Sequence, residues 1–278
     1  MSFAERRVAH GGGMLDQLSP VVKVLLILNI GLYFADVLYF DHAIRKFGQF
    51  SIPTSVYEGR IWEFITFQFM HGSVGHIIAN SMGLFFFGPF LERFMGSVRF
   101  LFFYLTCGVG GAAFFVLLVF LGILPAIDLD ASLVGASAGI YGIVIAVSVI
   151  APEIHVSLLF PPITLSMRRL AFAVIAIAVG VILLDIGNNQ GGEAGHLGGV
   201  IVGYILIRMA PLFGVDTKRE PRPRRRYYEP KIRPRTIVDL QAQSEIDEIL
   251  DKISREGFQS LTDEERDLLH RASKNEQD

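Results

Sequence analysis

The sequence predicts an all-α polytopic membrane protein: a bundle of six transmembrane helices followed by a small helical tail. Three observations predict it. The chain is 51% hydrophobic with a mean hydropathy of +0.46, a profile of chains that fold in a bilayer rather than in water. Apolar segments recur between residues 21 and 213 at the length a membrane helix needs, roughly 20 residues each. Charge is segregated: residues 100–150 carry only Asp128 and Asp130, whereas residues 214–278 are densely charged. The net charge of −2 averages these two regions and by itself excludes little.

Residues 1–20 read as an N-terminal segment, with Arg6, Arg7 and a Gly11-Gly12-Gly13 run. The first apolar stretch, 21–40, ends without a small-residue cleavage pattern, which predicts a retained helix rather than a signal peptide. Spans two and three are expected at 76–95 and 99–123. Span four, 137–151, is short: at 1.5 Å per residue it reaches only ~22 Å, against a hydrocarbon core of ~30 Å. It must begin below the membrane surface, so the loop before it, Pro125 to Gly135, should dip into protein, where irregular backbone is tolerated. Spans five and six are expected at 168–187 and 194–213.

Lysine and arginine orient these spans. Arg6, Arg7 and Lys23 lie at the start of span one, Arg93 and Arg99 flank the 2–3 turn, Arg168 and Arg169 precede span five, and Lys218 to Arg226 follow span six. The 3–4 and 5–6 connections hold no lysine or arginine. Both termini are therefore expected to be cytoplasmic, although Arg45, Lys46 and Arg60 in the long first loop argue the other way. In this orientation spans two, four and six all run from outside to inside. His76, Ser137 and His196, each near the start of one of them, should share one depth in the outer half of the bilayer.

That alignment matters for chemistry. A serine hydroxyl is a weak nucleophile until a base takes its proton, and His196 is the candidate base for Ser137. Gly195, Gly199 and Gly203 have the small-xxx-small spacing that lets membrane helices approach closely, and span four offers Gly135, Ala136, Ala138, Gly139 and Gly142. Tyr141, one turn after Ser137, projects from the same face and is placed to pack on the imidazole and orient it. A serine at a helix start has free backbone N–H groups around it. His76 and Asn80, four residues apart, share a face and supply side-chain donors. Such donors stabilise a developing oxyanion by about 3–4 kcal/mol each.

Each element alone has a plainer explanation. An isolated Gly-x-Ser-x-Gly in a membrane helix points to packing sooner than catalysis, an intramembrane histidine can be a structural hydrogen-bonder, and Tyr141 alone is a packing residue. The convergence of His71, His76, Asn80, Ser137 and His196 reverses that weighting. A soluble hydrolase elbow is excluded because it needs a strand before the serine. A metal site is set aside on the expectation that no carboxylate or thiol lies at a matching depth, and no cofactor is required. The single cysteine, Cys107, reads as a buried inert thiol.

The pattern His71-x4-His76-x3-Asn80, then Gly135-Ala-Ser137, then Gly195-His196-x2-Gly199-x3-Gly203 resembles the rhomboid intramembrane serine proteases over residues 20–213. The resemblance implies a serine endopeptidase that cleaves transmembrane segments of other membrane proteins with a Ser137–His196 dyad. It implies that His76, Asn80 and the Ser137 backbone line the oxyanion site, that His71 supports the loop before span two, and that Tyr141 stacks on His196. Gly135 and Gly199 would be supporting glycines. Trp62 aligns with the family's Trp-Arg pair and Glu92-Arg93 with its acidic-basic turn. Two residues depart from the pattern: Glu63 stands in place of the arginine of that pair, and Ala138 in place of a glycine after the nucleophile. The alternative is a non-catalytic scaffold or chaperone of the same fold that binds transmembrane helices; a transporter is disfavoured by the absence of an inverted repeat. The expected partners are membrane-protein substrates and the bilayer, with no nucleic acid. The expected location is a bacterial inner membrane.

Residues 214–238 read as a basic Pro- and Arg-rich linker, an anchor obeying the positive-inside rule. Residues 239–278 predict a cytoplasmic helical hairpin. Ile246, Ile249, Leu250 and Ile253 form a helical stripe, Gly257 ends that helix, and Thr262 with Glu265 forms a capping box for the next. The stripe would close on Leu268 and Leu269 or bind a partner that the sequence does not name.

Overall fold

A computed structural model of the chain describes residues 18–124, 132–157, 162–184, 189–213 and 237–275. Two compact units divide it after Arg222. The first contains helices α1 (Pro20–Tyr39), α2 (Val74–Met95), α3 (Ser97–Phe120), α4 (Ser137–Ile150), α5 (Met167–Leu184) and α6 (Gln190–Met209). Among the described residues, five helices are long and apolar enough to cross a membrane, and α4 is a shorter apolar one. Its 14 residues rise only ~21 Å. Large apolar side chains face outward, among them Ile27, Phe34, Phe102, Phe172 and Leu183. On a membrane bundle these meet lipid, so their exposure carries no aqueous penalty.

Elements the sequence did not predict surround this bundle. Strands β1 (His155–Ser157) and β2 (Thr164–Ser166) pair antiparallel between α4 and α5. The first loop folds into short helices at Ala43–Gly48, Ile52–Tyr57 and Glu63–Thr66, then a 3₁₀ turn at Phe67–Phe69. Helix α6 begins at Gln190, four residues before the expected start of span six. Glycines 191 and 192 disfavour a helix on propensity, but packing overrides this: Gly191 lies against the Phe115 ring of α3, with Gln190 and Glu193 buried beside it.

The bundle is held at its centre by backbone contact. Gly203 meets Gly142 so closely that an added Cβ would lie 2.6 Å from the Gly142 Cα, and a Cβ at Gly198 would lie 2.5 Å from the Gly110 carbonyl oxygen. At Gly199 an added Cβ would collide with the carbonyl oxygen of Ala138. Thus α6 is pressed on α3 and α4 through glycine faces, as the small-xxx-small spacing predicts. Around this contact the core is filled by Val22, Leu25, Leu84, Leu91, Phe100, Tyr104 and Ile143.

A second apolar cluster anchors the first loop. Phe50 packs edge-on against Phe64, Phe67 and Phe115. Its backbone N–H donates to Leu133 O and its carbonyl accepts from Leu133 N–H, at 3.0 and 2.7 Å. Two buried carboxylates accept hydrogen bonds in place, which offsets the cost of burying them in a low-dielectric interior. Glu92 accepts from the Val21 and Val22 backbone N–H groups at 3.0 and 2.9 Å and from the Ser97 hydroxyl at 2.6 Å. It therefore caps α1 while pinning the α2–α3 turn. Glu63, the departure from the Trp-Arg pattern, accepts from the Thr54 and Ser55 hydroxyls, with the Arg60 guanidinium 3.8 Å from its other oxygen. Trp62 stacks on Phe47, ring centroids 5.7 Å apart.

The second unit contains α7 (Ile237–Glu256) and α8 (Asp263–Asn275), with a 3₁₀ turn at Phe258–Ser260 between them. Gly257 sits at φ +82° and ends α7. The capping box forms: Thr262 N–H donates to Glu265 Oε2 at 2.7 Å and Glu265 N–H to Thr262 Oγ1 at 3.3 Å. Lys252 Nζ donates to both Glu265 oxygens. In the stripe Ile249 is buried and Leu250 is exposed, so the hairpin closes on part of the stripe only. Of the basic linker expected at 214–238, residues 214–236 lie outside the described residues and the last two already belong to α7.

Two expectations follow. Gly199→Val should force α4 and α6 apart at a cost of about 1–3 kcal/mol or more, read as a lower unfolding midpoint in detergent. In the tail, the Thr262 backbone and Lys252 hold the Glu265 carboxyl below its usual range. That stabilisation is present above the ordinary carboxylate range and is lost as pH falls through the lowered folded value. Amide protection factors at the start of α8 in the full chain should therefore fall on acidification, and Glu265→Ala should reproduce the fall at neutral pH.

Candidate active site

Ser137 is the first residue of α4. The backbone before it is fixed by the Phe50–Leu133 pairing and by Gly135 N–H donating to Phe67 O at 2.9 Å. Of the loop expected to dip into protein, Leu133 and Gly135 are buried, Val134 is half-buried and Ser132 is exposed. Residues 125–131 lie outside the described residues. Glycine is required at 135 for two reasons. Its φ is +114°, and an added Cβ would lie 2.6 Å from His76 Nε2 and 3.1 Å from Asn80 Nδ2. The donors of α2 thus reach the turn that delivers Ser137.

His196, nearly two turns into α6, brings Nε2 to 2.9 Å from Ser137 Oγ. The Tyr141 ring stacks on the imidazole, centroids 4.1 Å apart and planes at 14°, as its place one turn after Ser137 predicts. Helix α2 starts where Ser73 caps it, the Ser73 hydroxyl accepting from His76 N–H at 3.2 Å. His76 and Asn80 follow on one face, and both line a cavity of about 560 Å³ with Ser137, Tyr141 and His196. Asn80 Nδ2 is buried without a protein partner, so it is a donor free to meet an anion. His71 packs edge-on against His76, centroids 5.2 Å apart. Burial, then the neighbouring His76, push the His71 imidazole down to about 4. It is therefore neutral at ordinary pH and supports His76 by packing rather than by charge.

All eight residues singled out in the sequence have a place in this arrangement. Five line the cavity, His71 and Gly135 lie against His76, and Gly199 lies against Ala138. Phe86 points outward, while Phe85 and Phe87 pack against the core.

One residue was missed. The expectation that no carboxylate lies at this depth is wrong: Glu193 Oε2 is 2.9 Å from His196 Nδ1, and its side chain is only 11% exposed. The signal was the Glu-x-x-His spacing, which puts two side chains on one helical face. Starting span six at 194 left Glu193 outside the helix. The orienting task assigned to Tyr141 alone is consequently shared between a stacked ring and a carboxylate.

The Rhomboid domain matches residues 58–211 of this chain. The chain belongs to the rhomboid family. The match begins inside the first loop, so α1 precedes it, whereas the motif resemblance was drawn from residue 20. A family of unknown function, DUF6576, matches residues 240–275, the helical tail. The rhomboid protein YdcA of Bacillus subtilis is 36% identical over 88 residues, 32% of this chain and 40% of that protein. RHOMBOID-like protein 1 of Arabidopsis thaliana is 26% identical over 181 residues, 63% of this chain and 42% of that protein. RHOMBOID-like protein 12, mitochondrial, of Arabidopsis thaliana is 30% identical over 105 residues, covering 38% of this chain and 30% of that protein. The chain thus spans less than half the length of these relatives. As a rhomboid with several apolar membrane-length helices it is a multi-pass integral membrane protein.

Gly135→Ala tests the turn. It should cost about 1–3 kcal/mol of backbone strain and displace His76 and Asn80 from Ser137. The expected readout is a lower unfolding midpoint, with the protein still monodisperse in detergent.

Proposed function

We propose that this rhomboid is an intramembrane serine endopeptidase that cleaves transmembrane segments of membrane proteins. The observation that carries the reading is the 2.9 Å contact between Ser137 Oγ and His196 Nε2, inside a membrane bundle and beside unpaired donors. In the proposed reaction Ser137 Oγ attacks the scissile carbonyl carbon while His196 Nε2 takes the hydroxyl proton. The oxyanion is met by Asn80 Nδ2, a His76 ring N–H and the Ser137 backbone N–H, which stands at a helix N-terminus. The tetrahedral intermediate collapses to an acyl-enzyme as His196 returns its proton to the leaving amine. A water, deprotonated by His196, then releases the acyl group and regenerates Ser137.

The charge distribution supports a placement for this chemistry. Counting lysines and arginines puts both termini in the cytoplasm and the first residues of α2, α4 and α6 toward the outer side. With α4 counted as a sixth span, too short to reach the outer surface, Ser137 would lie below that surface. Substrates would then be cut near the outer end of a transmembrane helix, after local unwinding exposes an amide. Small and helix-breaking residues in the substrate favour that unwinding. A bacterial inner membrane fits this orientation.

The test compares purified wild type, Ser137→Ala and His196→Ala on a single-pass substrate carrying helix-breaking residues, followed by mass spectrometry of the products. Cleavage should be confined to wild type, and each variant should lose at least ~10³-fold in rate. Cleavage that survives in Ser137→Ala would overturn the mechanism. Binding of the substrate helix by wild type without any cutting would instead favour the non-catalytic scaffold.

A further inference from the structure

We infer that Glu193 is a positioning residue for His196, so that the Ser137–His196 pair works with a third, orienting carboxylate rather than as a dyad alone. The inference rests on the serine-protease reading above. Its basis is a line of three polar groups: Ser137 Oγ to His196 Nε2 at 2.9 Å, and His196 Nδ1 to Glu193 Oε2 at 2.9 Å. An ionised carboxylate only accepts hydrogen bonds. The ring proton of neutral His196 must therefore sit on Nδ1, which leaves the Nε2 lone pair facing the Ser137 hydroxyl. That is the tautomer a general base for Ser137 requires.

A plainer explanation exists, because acidic residues favour the first turn of a helix, where the dipole stabilises them. That explanation requires neither burial nor aim. Glu193 and His196 have side chains only 11% and 16% exposed, and an ionisable side chain inside a membrane bundle is costly without a partner. Glu193 spends its carboxylate on the one ring nitrogen that Ser137 does not use. Tyr141 holds the plane of the ring by stacking, and the carboxylate adds a fixed tautomer and a counter-charge.

The counter-charge matters when Ser137 attacks. The hydroxyl proton passes to Nε2, and the resulting imidazolium keeps its Nδ1 proton while the carboxylate faces it; no proton moves to Glu193. The groups facing the imidazole from other helices do not supply this stabilisation. From α2 comes His76 and, from the loop before it, His71, whose protonated forms would oppose a positive His196. From α4 comes the Tyr141 phenol, and on α3 the Cys107 thiol lies against Gly142. Among the described residues, the cations of α3 and α5 are Arg99, Arg168 and Arg169, at the far ends of those helices.

The test uses the full chain in detergent micelles and compares wild type with Glu193→Gln, Glu193→Asp and Glu193→Ala. Histidine ¹⁵N resonances, assigned to His196 by their loss in His196→Ala, report tautomer and titration without any need for cleavage. The glutamine carbonyl can still accept from Nδ1 but carries no charge. Glu193→Gln should keep the tautomer while the His196 midpoint falls by about 1–2 pH units. Glu193→Ala should lose both, and Glu193→Asp should recover part of the midpoint. With a transmembrane substrate, the acid limb of kcat/KM should move to lower pH in Glu193→Gln, by the same interval. Its plateau should fall about 10²- to 10⁴-fold. An unchanged His196 midpoint in Glu193→Gln would overturn the inference even if activity fell, since a purely structural role lowers activity without moving that midpoint. A shifted midpoint in Glu193→Gln, together with a wild type that cuts nothing, would retain the Glu193–His196 coupling and sink the protease reading instead.

Discussion

The distance between α4 and α6 governs the rest of this structure. Gly199 lies against the Ala138 carbonyl and Gly203 against the Gly142 backbone, so the two helices touch through main chain rather than through side chains. In lipid no hydrophobic force draws apolar helices together. Close contact, and the dispersion it allows, must do so. The same contact sets the reach of Ser137 to His196, since each residue sits about one turn or less from the nearest glycine contact. A pair of larger side chains between these helices would widen the gap beyond hydrogen-bond length.

The second constraint acts on the start of α4. A helix that begins inside the bundle needs partners for its incoming backbone. The Phe50–Leu133 pairing and the Gly135–Phe67 hydrogen bond supply them. Both partners come from the first loop, which explains why that loop is itself folded, with Phe50 fully buried and Glu63 tied to Thr54 and Ser55. Glu63, a departure from the family pattern in sequence, helps fix the loop that holds the segment before Ser137.

Two buried carboxylates each have a clear task. Glu92 caps α1 and joins it to the α2–α3 turn. Glu193 meets His196. Asn80 Nδ2 is the contrast, a buried donor without a protein partner beside the proposed nucleophile. Leaving a donor unmet costs stability. A site that must receive negative charge during its reaction would recover that cost at the moment the charge forms.

The helical membrane class, the approximate spans, the short α4 and the cluster around Ser137 were legible in the sequence, because hydropathy, helical periodicity and glycine spacing are local properties of the chain. The tail's capping box was legible for the same reason. The structured first loop, the small hairpin and the four-residue extension of α6 were not, because each depends on contacts distant in sequence: Phe50 with Leu133, and Gly191 with Phe115. The extension is what put Glu193 on the helix one turn before His196. By itself, then, the sequence determined which residues stand on which helix face, since 3.6 residues per turn settles that locally. Only the tertiary structure decided which faces meet, and with them which atom of His196 faces Ser137 and which faces a carboxylate, because that follows from how closely glycine lets α6 approach α3 and α4.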